Sequence, residues 1–207
     1  MTTAPVPRSR KDAVANRAAL LTAARGVVAD DPAASMDAIA RAAGLSRRAV
    51  YGHFTDRDEL LGELIRTGAE RFNAIAAQLR IDDAPSALAG LAVRLWQEAA
   101  QVRLAAALAL SDAHVAQTAA ALRPLRERVV EIVRAGQEAG TLRPDIAATL
   151  LSRMIEEAAR SAVTRMDAPA SEIRTVAVHA VLGIAGLSWR ESTDVLAALP
   201  DQGWVSA

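Results

Sequence analysis

Residues 35–61 read SMDAIARAAGLSRRAVYGHFTDRDELL, and the fold turns on this stretch. Ser35 is a good N-cap, because its hydroxyl can accept from a backbone N–H in the first turn of a helix. Met36, Ile39, Ala40 and Ala43 then recur at helical spacing, which predicts a short helix over about 36–43 with those four residues inward. Gly44 can adopt the left-handed conformation that ends a helix, Leu45 plugs the corner, and Ser46 caps a further helix from Arg47 to about His53. Asp56 caps the next, which starts near Arg57 and continues through Leu60, Leu64, Ile65 and Phe72 to about Leu79. Two short helices joined by a tight glycine turn make a helix-turn-helix.

Upstream, Val14, Ala18, Leu21 and Val28, widened by Leu20, Ala24 and Val27, predict a helix over 10–29 that Asp30-Asp31-Pro32 ends. Residues 1–9 hold two prolines and no hydrophobic period, as a flexible arm would. Downstream, every apolar period is helical. Pro85-Ser86 starts a helix through Leu88, Leu91, Leu95, Trp96 and Ala99, and the apolar segment Leu104–Leu110 ends at Ser111-Asp112. Arg123–Ala139 is amphipathic through Leu125, Val129, Ile132 and Val133, and Gly140-Thr-Leu-Arg-Pro is a stop and restart. Asp145–Met166 and Ser171–Trp189 read as two more helices separated by Asp167-Ala-Pro-Ala. The expected organisation is all-α: an arm over 1–9, a head over 10–56, a connecting helix over 57–80 and a helical body over 81–207. A chain of 207 residues, 52% apolar but 3% aromatic, suits packed helices with a sizeable core.

Composition also excludes. Without cysteine there are no disulfides, thiolate metal sites or cysteine nucleophiles. The opening MTTAPVPRSRK has no apolar stretch, and the longest uncharged run, Thr175–Trp189, is 15 residues, short of the roughly 18 or more that argue for a spanning helix. A soluble, cytoplasmic protein is expected. No phosphate-loop, HExxH or GxSxG pattern occurs, so neither an enzyme nor a cofactor is expected. Net charge is zero, but residues 1–54 carry eight basic and four acidic side chains, leaving the remainder at −4. A basic head on an acidic body suits nucleic-acid contact through the head.

In a helix-turn-helix the second helix enters the major groove. With Val50 at the centre of the buried face, steps of about 100° put Phe54 on the same side and Arg48 and Gly52 opposite. Arg48 then points into the groove, where its fork can grip guanine O6 and N7. Arg47 flanks it, within reach of a phosphate or a base edge; Ala49 is placed for a thymine methyl, and Tyr51 and His53 for phosphate oxygens. Ser46 can offer its hydroxyl and the helix N-terminus to a phosphate, although capping alone explains it.

Residues 10–66 resemble the DNA-binding head of TetR-type (tetracycline-repressor-like) regulators. The run from Ser35 follows the family pattern small-x-x-x-I-A-x-x-A-G-[VL]-S-x-x-x-[VL]-Y-x-H-F-x-x-[KR]-x-x-L almost position by position. It departs at Val27, where the family commonly has Phe, and at Asp31-Pro32, where Gly is usual; both are packing or turn variations. The AGTLRPD turn at 139–145 also recurs in that family. The resemblance assigns Tyr51, His53 and Arg57 to phosphate contact. It implies a homodimer on a palindromic double-stranded operator, most often a repressor released by a small molecule bound in the body.

Two sets of body residues follow. Ile146, Leu150, Met154 and Ala158 share one helix face, and Val176, Ala180, Gly183, Ile184 and Leu187 another. Together they are read as a four-helix dimer interface, which the resemblance also implies; intramolecular core is the competing reading. For a ligand, Trp96, His114, Arg94 and Arg103 are the candidates, although Trp96 also fits plain core packing. From Asn73 to Ser188 the one aromatic residue is Trp96, which favours an aliphatic or mixed effector over a stacked flat one. The alternative function is a small-molecule-binding helical bundle whose head contacts protein rather than DNA.

Overall fold

The computed structural model describes residues 10–100, 114–165 and 170–199. Among these there are ten helices and no strand: α1 (Arg10–Asp30), α2 (Met36–Ala42), α3 (Arg47–Tyr51), α4 (Arg57–Ala77), α5 (Ala84–Ala100), α6 (Val115–Ala121), α7 (Arg123–Glu138), α8 (Ala148–Arg165), α9 (Ala170–Ile184) and α10 (Trp189–Ala198). The arm over 1–9 and the segment Leu104–Leu110 with its Ser111-Asp112 stop lie outside the described residues, as does Arg103.

Local signals build the head as anticipated. The Ser35 hydroxyl accepts from the Ala38 N–H at 3.2 Å, that of Ser46 from Ala49 at 3.2 Å, and the Asp56 carboxylate from Glu59 at 2.8 Å. Each cap satisfies an N–H that its helix leaves without a partner. Gly44 has φ +65°, the left-handed turn between α2 and α3. The head core is Leu20, Ala24 and Val28 of α1, Met36, Ile39 and Ala40 of α2, Val50 and Phe54, and Leu60 and Leu61 of α4. Val14 and Ala18 correct the expected stripe, since both are exposed. Leu20 is the first α1 residue of the head core, and the exposed Val14 and Ala18 lie before it.

The body core joins Leu88 and Leu91 of α5, Ile132 and Val133 of α7, Leu151 and Ile155 of α8, and Val178, Val181, Leu182 and Ala185 on and just after α9. Gly136 makes room for the turn after α7: a Cβ there would lie 2.4 Å from Leu142 Cγ and 2.8 Å from Ala84 Cβ. Two boundaries of the body differ from the sequence reading by three residues or more. α8 begins at Ala148 rather than Asp145, because Arg143 pairs with Asp145 and the Ile146 carbonyl accepts from the Gln137 side chain, which holds the approach as a turn. The helix expected to reach Trp189 stops at Ile184; Gly186 turns the chain at φ +110°, and α10 follows. Ser188 and Glu191 form a reciprocal capping box there, a pattern legible in Ser188-x-x-Glu191 that the helical period obscured.

α4 connects head and body, and Asn73 on it does something no helix of the head requires. α6 and α7 meet at Leu122 with no side-chain cap of their own. The Asn73 Nδ2 donates to the Ala121 carbonyl at 2.9 Å, and its Oδ1 accepts from the Leu125 N–H at 3.1 Å. One side chain of α4 thus satisfies the end of one body helix and the start of the next.

Candidate nucleic-acid interface

α3 is five residues long, and its geometry follows from what it buries. Val50 is fully buried and Phe54 is 1% exposed, while Arg48 and Gly52 are exposed on the other side. Tyr51 is 43% exposed and His53 half-buried on the rim. α3 ends at Tyr51 with Gly52 as its C-cap, two residues before the expected end, and His53 and Phe54 still donate to the Val50 carbonyl. The outward side chains therefore share a rigid backbone, which a groove reader needs.

Ala49 is a correction: at 5% exposure its methyl is turned into the head and is not offered to a thymine. Arg47 is ion-paired, Nε to Asp37 Oδ1 at 3.4 Å, and its guanidinium lies 5.5 Å above the centre of the Tyr51 ring. Asp37, on α2, was not singled out in the sequence, where no spacing rule links it to Arg47. Arg57 was expected at a phosphate. It donates instead from Nε to the Ala34 carbonyl at 3.0 Å and from Nη2 to that of Pro32, so its fork braces the α1–α2 connection. Ser46 is occupied as a cap.

Behind the reading face, Arg17 of α1 stacks 4.7 Å from the Phe54 ring centre and pairs with Glu63 of α4 at 2.6 Å. Glu63 also takes Arg66, whose hydrogen bonds, with the help of Arg17, hold its carboxyl at about 2, well below the ordinary range. α1 and α4 are therefore locked behind α3 by a charged contact as well as by the core.

The other candidate residues are distributed differently. Leu150, Met154 and Val176 are 54%, 39% and 40% exposed, and Gly183 is exposed with nothing within 4 Å of a would-be Cβ. Ala158 and Ala180 are half-buried, while Ile146, Ile184 and Leu187 pack partly against the body core. The outer side of the α8–α9 pair is thus apolar and uncovered within one chain. Among the described ligand candidates, Arg94 and Trp96 are placed in different surroundings. Arg94 lines a surface cavity of about 290 Å³ with Leu79, Val93, Gln97 and Leu199; Trp96 packs against Ala162 and Ala177; His114 sits at the start of α6. Two residues apart on α5, Arg94 and Trp96 face different ways.

Residues 20–64 match the model of the bacterial regulatory proteins of the tetR family, a span that runs from Leu20 to Leu64 and so coincides with the head core. The chain is similar in fold to a tetR-family regulatory protein from Rhodococcus RHA1, with 22% identity, a TM-score of 0.69, and 87% of this chain and 100% of that one covered. It is similar also to the fatty acid degradation regulator FadR from Bacillus halodurans (19% identity, TM-score 0.68, 87% and 97% covered). A third is RolR in complex with resorcinol (18% identity, TM-score 0.61, 94% and 100% covered). A comparison with curated proteins gives no match. No helix among the described residues is long and apolar enough to cross a membrane. The helix-turn-helix head thus matches the tetR-family model over residues 20–64, and the chain has a fold similar to that of tetR-family regulators.

Proposed function

We propose that the protein is a ligand-responsive repressor that binds a palindromic operator as a homodimer, with Arg48 as its principal base reader. The observation that carries this reading is the face of α3: Arg48 stands exposed opposite the buried Val50 and Phe54, flanked by Arg47, Tyr51 and His53. Arg48 grips a guanine edge while Tyr51 and His53 hold phosphates, and the Ser46 end of α3 approaches the backbone. Arg57 acts from behind, by fixing the loop carbonyls of Pro32 and Ala34.

The homodimer follows from the uncovered apolar side of α8 and α9, where Leu150, Met154 and Val176 need a partner surface. Two heads then address half-sites about 34 to 36 Å apart, and a ligand releases the DNA to the extent that it prefers the body conformation that spoils this spacing. Resorcinol is RolR's ligand, and FadR regulates fatty acid degradation. For this chain, a body whose one aromatic residue from Asn73 to Ser188 is Trp96 favours an aliphatic or mixed effector.

The test begins with duplexes selected by the protein from a random library, followed by salt-titrated mobility shifts. Arg48→Ala should weaken the selected site by about 1 to 3 kcal/mol and relax one symmetric pair of base positions. Tyr51→Phe should weaken all sequences alike. Unchanged affinity and base preference in Arg48→Ala would rule out the assigned orientation of α3.

A further inference from the structure

α5 carries a glycine in its middle that the packing of the chain does not require. Glycine is the poorest helix former after proline, and inside a helix it usually has a packing or functional reason. A Cβ on Gly90 would lie 3.9 Å from Leu79 Cδ1 and 4.0 Å from Leu199 Cδ2, which is ordinary contact, so alanine would fit. A longer side chain would enter the surface cavity of about 290 Å³ that Gly90 helps to line.

Leu79, Ala87, Val93 and Leu199 line that cavity beside Gly90, so its interior is aliphatic or bare backbone. The end of α4, the outer face of α5 and the end of α10 meet there. The wall is fixed in advance: Ala87 is buried, and the Leu79 carbonyl accepts from Arg128 of α7 at 2.5 Å. The volume is near the lower bound for small-molecule sites, about 300 Å³, which suits a short ligand.

Charge is unequal along this face. Before the first turn of α5, Asp83 accepts from the Ser86 N–H at 2.9 Å, and Asp82 takes the fork of Arg80 at 3.0 and 3.3 Å. That end sets two carboxylates against one guanidinium. Arg94 and Gln97 follow Gly90 by four and seven residues, on the same side of the helix. At about 1.5 Å per residue they stand roughly 15 to 20 Å from Asp83 along the axis. Among the described residues that line the cavity, Asp82 and Asp83 are the acidic ones, so an anion is repelled from their end and drawn to the other. Guanidinium and amide donors there suit a carboxylate.

We infer that this cavity binds a short aliphatic carboxylate, its chain against Gly90, Leu79 and Leu199 and its head at Arg94 and Gln97. The inference deepens the regulatory reading, on which it rests for what the bound acid does to DNA, but the binding itself is tested without DNA.

Calorimetric titration with octanoate, octanol and octylamine separates chain from charge. Octanoate should bind tightest, since the alcohol lacks the charge and the amine has the opposite one. Arg94→Gln should weaken octanoate about tenfold and change octanol by less than about twofold. Gly90→Leu fills the cavity and should abolish saturable octanoate binding while the circular dichroism stays helical. Gly68→Ala is the control: it replaces a helical glycine of α4 that has nothing within 4 Å, and should raise Tm by about 2 to 4 °C with octanoate binding unchanged. No saturable binding of octanoate by the parent, octanol or octylamine bound as tightly, an unaltered Arg94→Gln, or full binding by a folded Gly90→Leu overturns the site. Should Gly90→Leu not fold, the octanoate-to-octanol ratio in Arg94→Gln decides. Octanoate that binds as expected but leaves a selected duplex bound would count against the ligand-responsive reading and leave the site standing.

Discussion

The head and the α6–α7 junction of the body solve the same problem, unpaired backbone groups at helix ends, with different materials, while α10 with its Ser188 cap follows the head. In the head α2, α3 and α4 each begin with their own capping side chain, Ser35, Ser46 or Asp56. In the body α6 and α7 have no such cap and take their partner from Asn73, about 50 residues upstream on α4. A helix capped by its own neighbour keeps its shape wherever it goes. One capped from another helix keeps its shape only while that helix stays in place. The helix starts of the head are thus set by their own sequence, and the α6–α7 junction by where α4 stands.

The two regions also expose opposite surfaces, charged around α3 and apolar along α8 and α9, and breaking the second should have the largest effect. Met154→Arg with Val176→Arg should give monomers by light scattering and weaken operator binding by about a hundredfold or more, because the second half-site no longer benefits from the first. These two are better probes than Ile184, which packs partly in the core and whose replacement would also disturb folding. A dimer that survives both charges would place the interface elsewhere.

Next in size is the contrast between the caps. Asn73→Ala leaves the Ala121 carbonyl and the Leu125 N–H unpaired and should cost about 1 to 3 kcal/mol in urea denaturation, with faster amide exchange at Leu125. Ser46→Ala should cost about 1 kcal/mol and leave Leu125 exchange unchanged. Faster exchange at Leu125 in Ser46→Ala would erase the distinction drawn between the regions.

A further contrast concerns acid. Glu63 is held at about 2 in the folded protein by Arg66 and Arg17, against an ordinary 4.5, so its contribution to stability is complete above 4.5 and disappears as pH falls through the folded value. Melting curves of the wild type and Glu63→Gln should therefore lie apart near neutral pH and converge toward pH 2. Parallel curves would mean that the Arg17–Glu63–Arg66 cluster adds nothing to the union of α1 with α4.

What could be read in advance was whatever the chain states locally. Ser35, Gly44, Ser46 and Asp56 each announce a boundary within a few residues, and Val50 with Phe54 sets the orientation of α3. Ala49 escaped because stepping around a helix gives a direction but not the breadth of the core, and a methyl group is too short to leave its rim. Arg57 escaped because the carbonyls that hold it, those of Pro32 and Ala34, lie more than 20 residues away. Gly186 lies inside the run 171–189 that its apolar period marks as one helix; in the fold its φ of +110° ends the helical run, and a Cβ there would lie 2.8 Å from Arg143 Cβ. The trans-cap at Asn73 left no signature, since it depends on where two distant helix ends come to rest.

The ion pair between Arg47 and Asp37 bears on how the protein treats the DNA it is not looking for. On the proposed reading, a phosphate that recruits Arg47 competes with a carboxylate 3.4 Å away, so the ion pair given up offsets part of what the contact gains. Its share of the salt-driven attraction is smaller than that of a bare surface cation. Random sequence, which offers phosphates but no matching base edges, should then lean less on Arg47 and more on cations without a carboxylate partner.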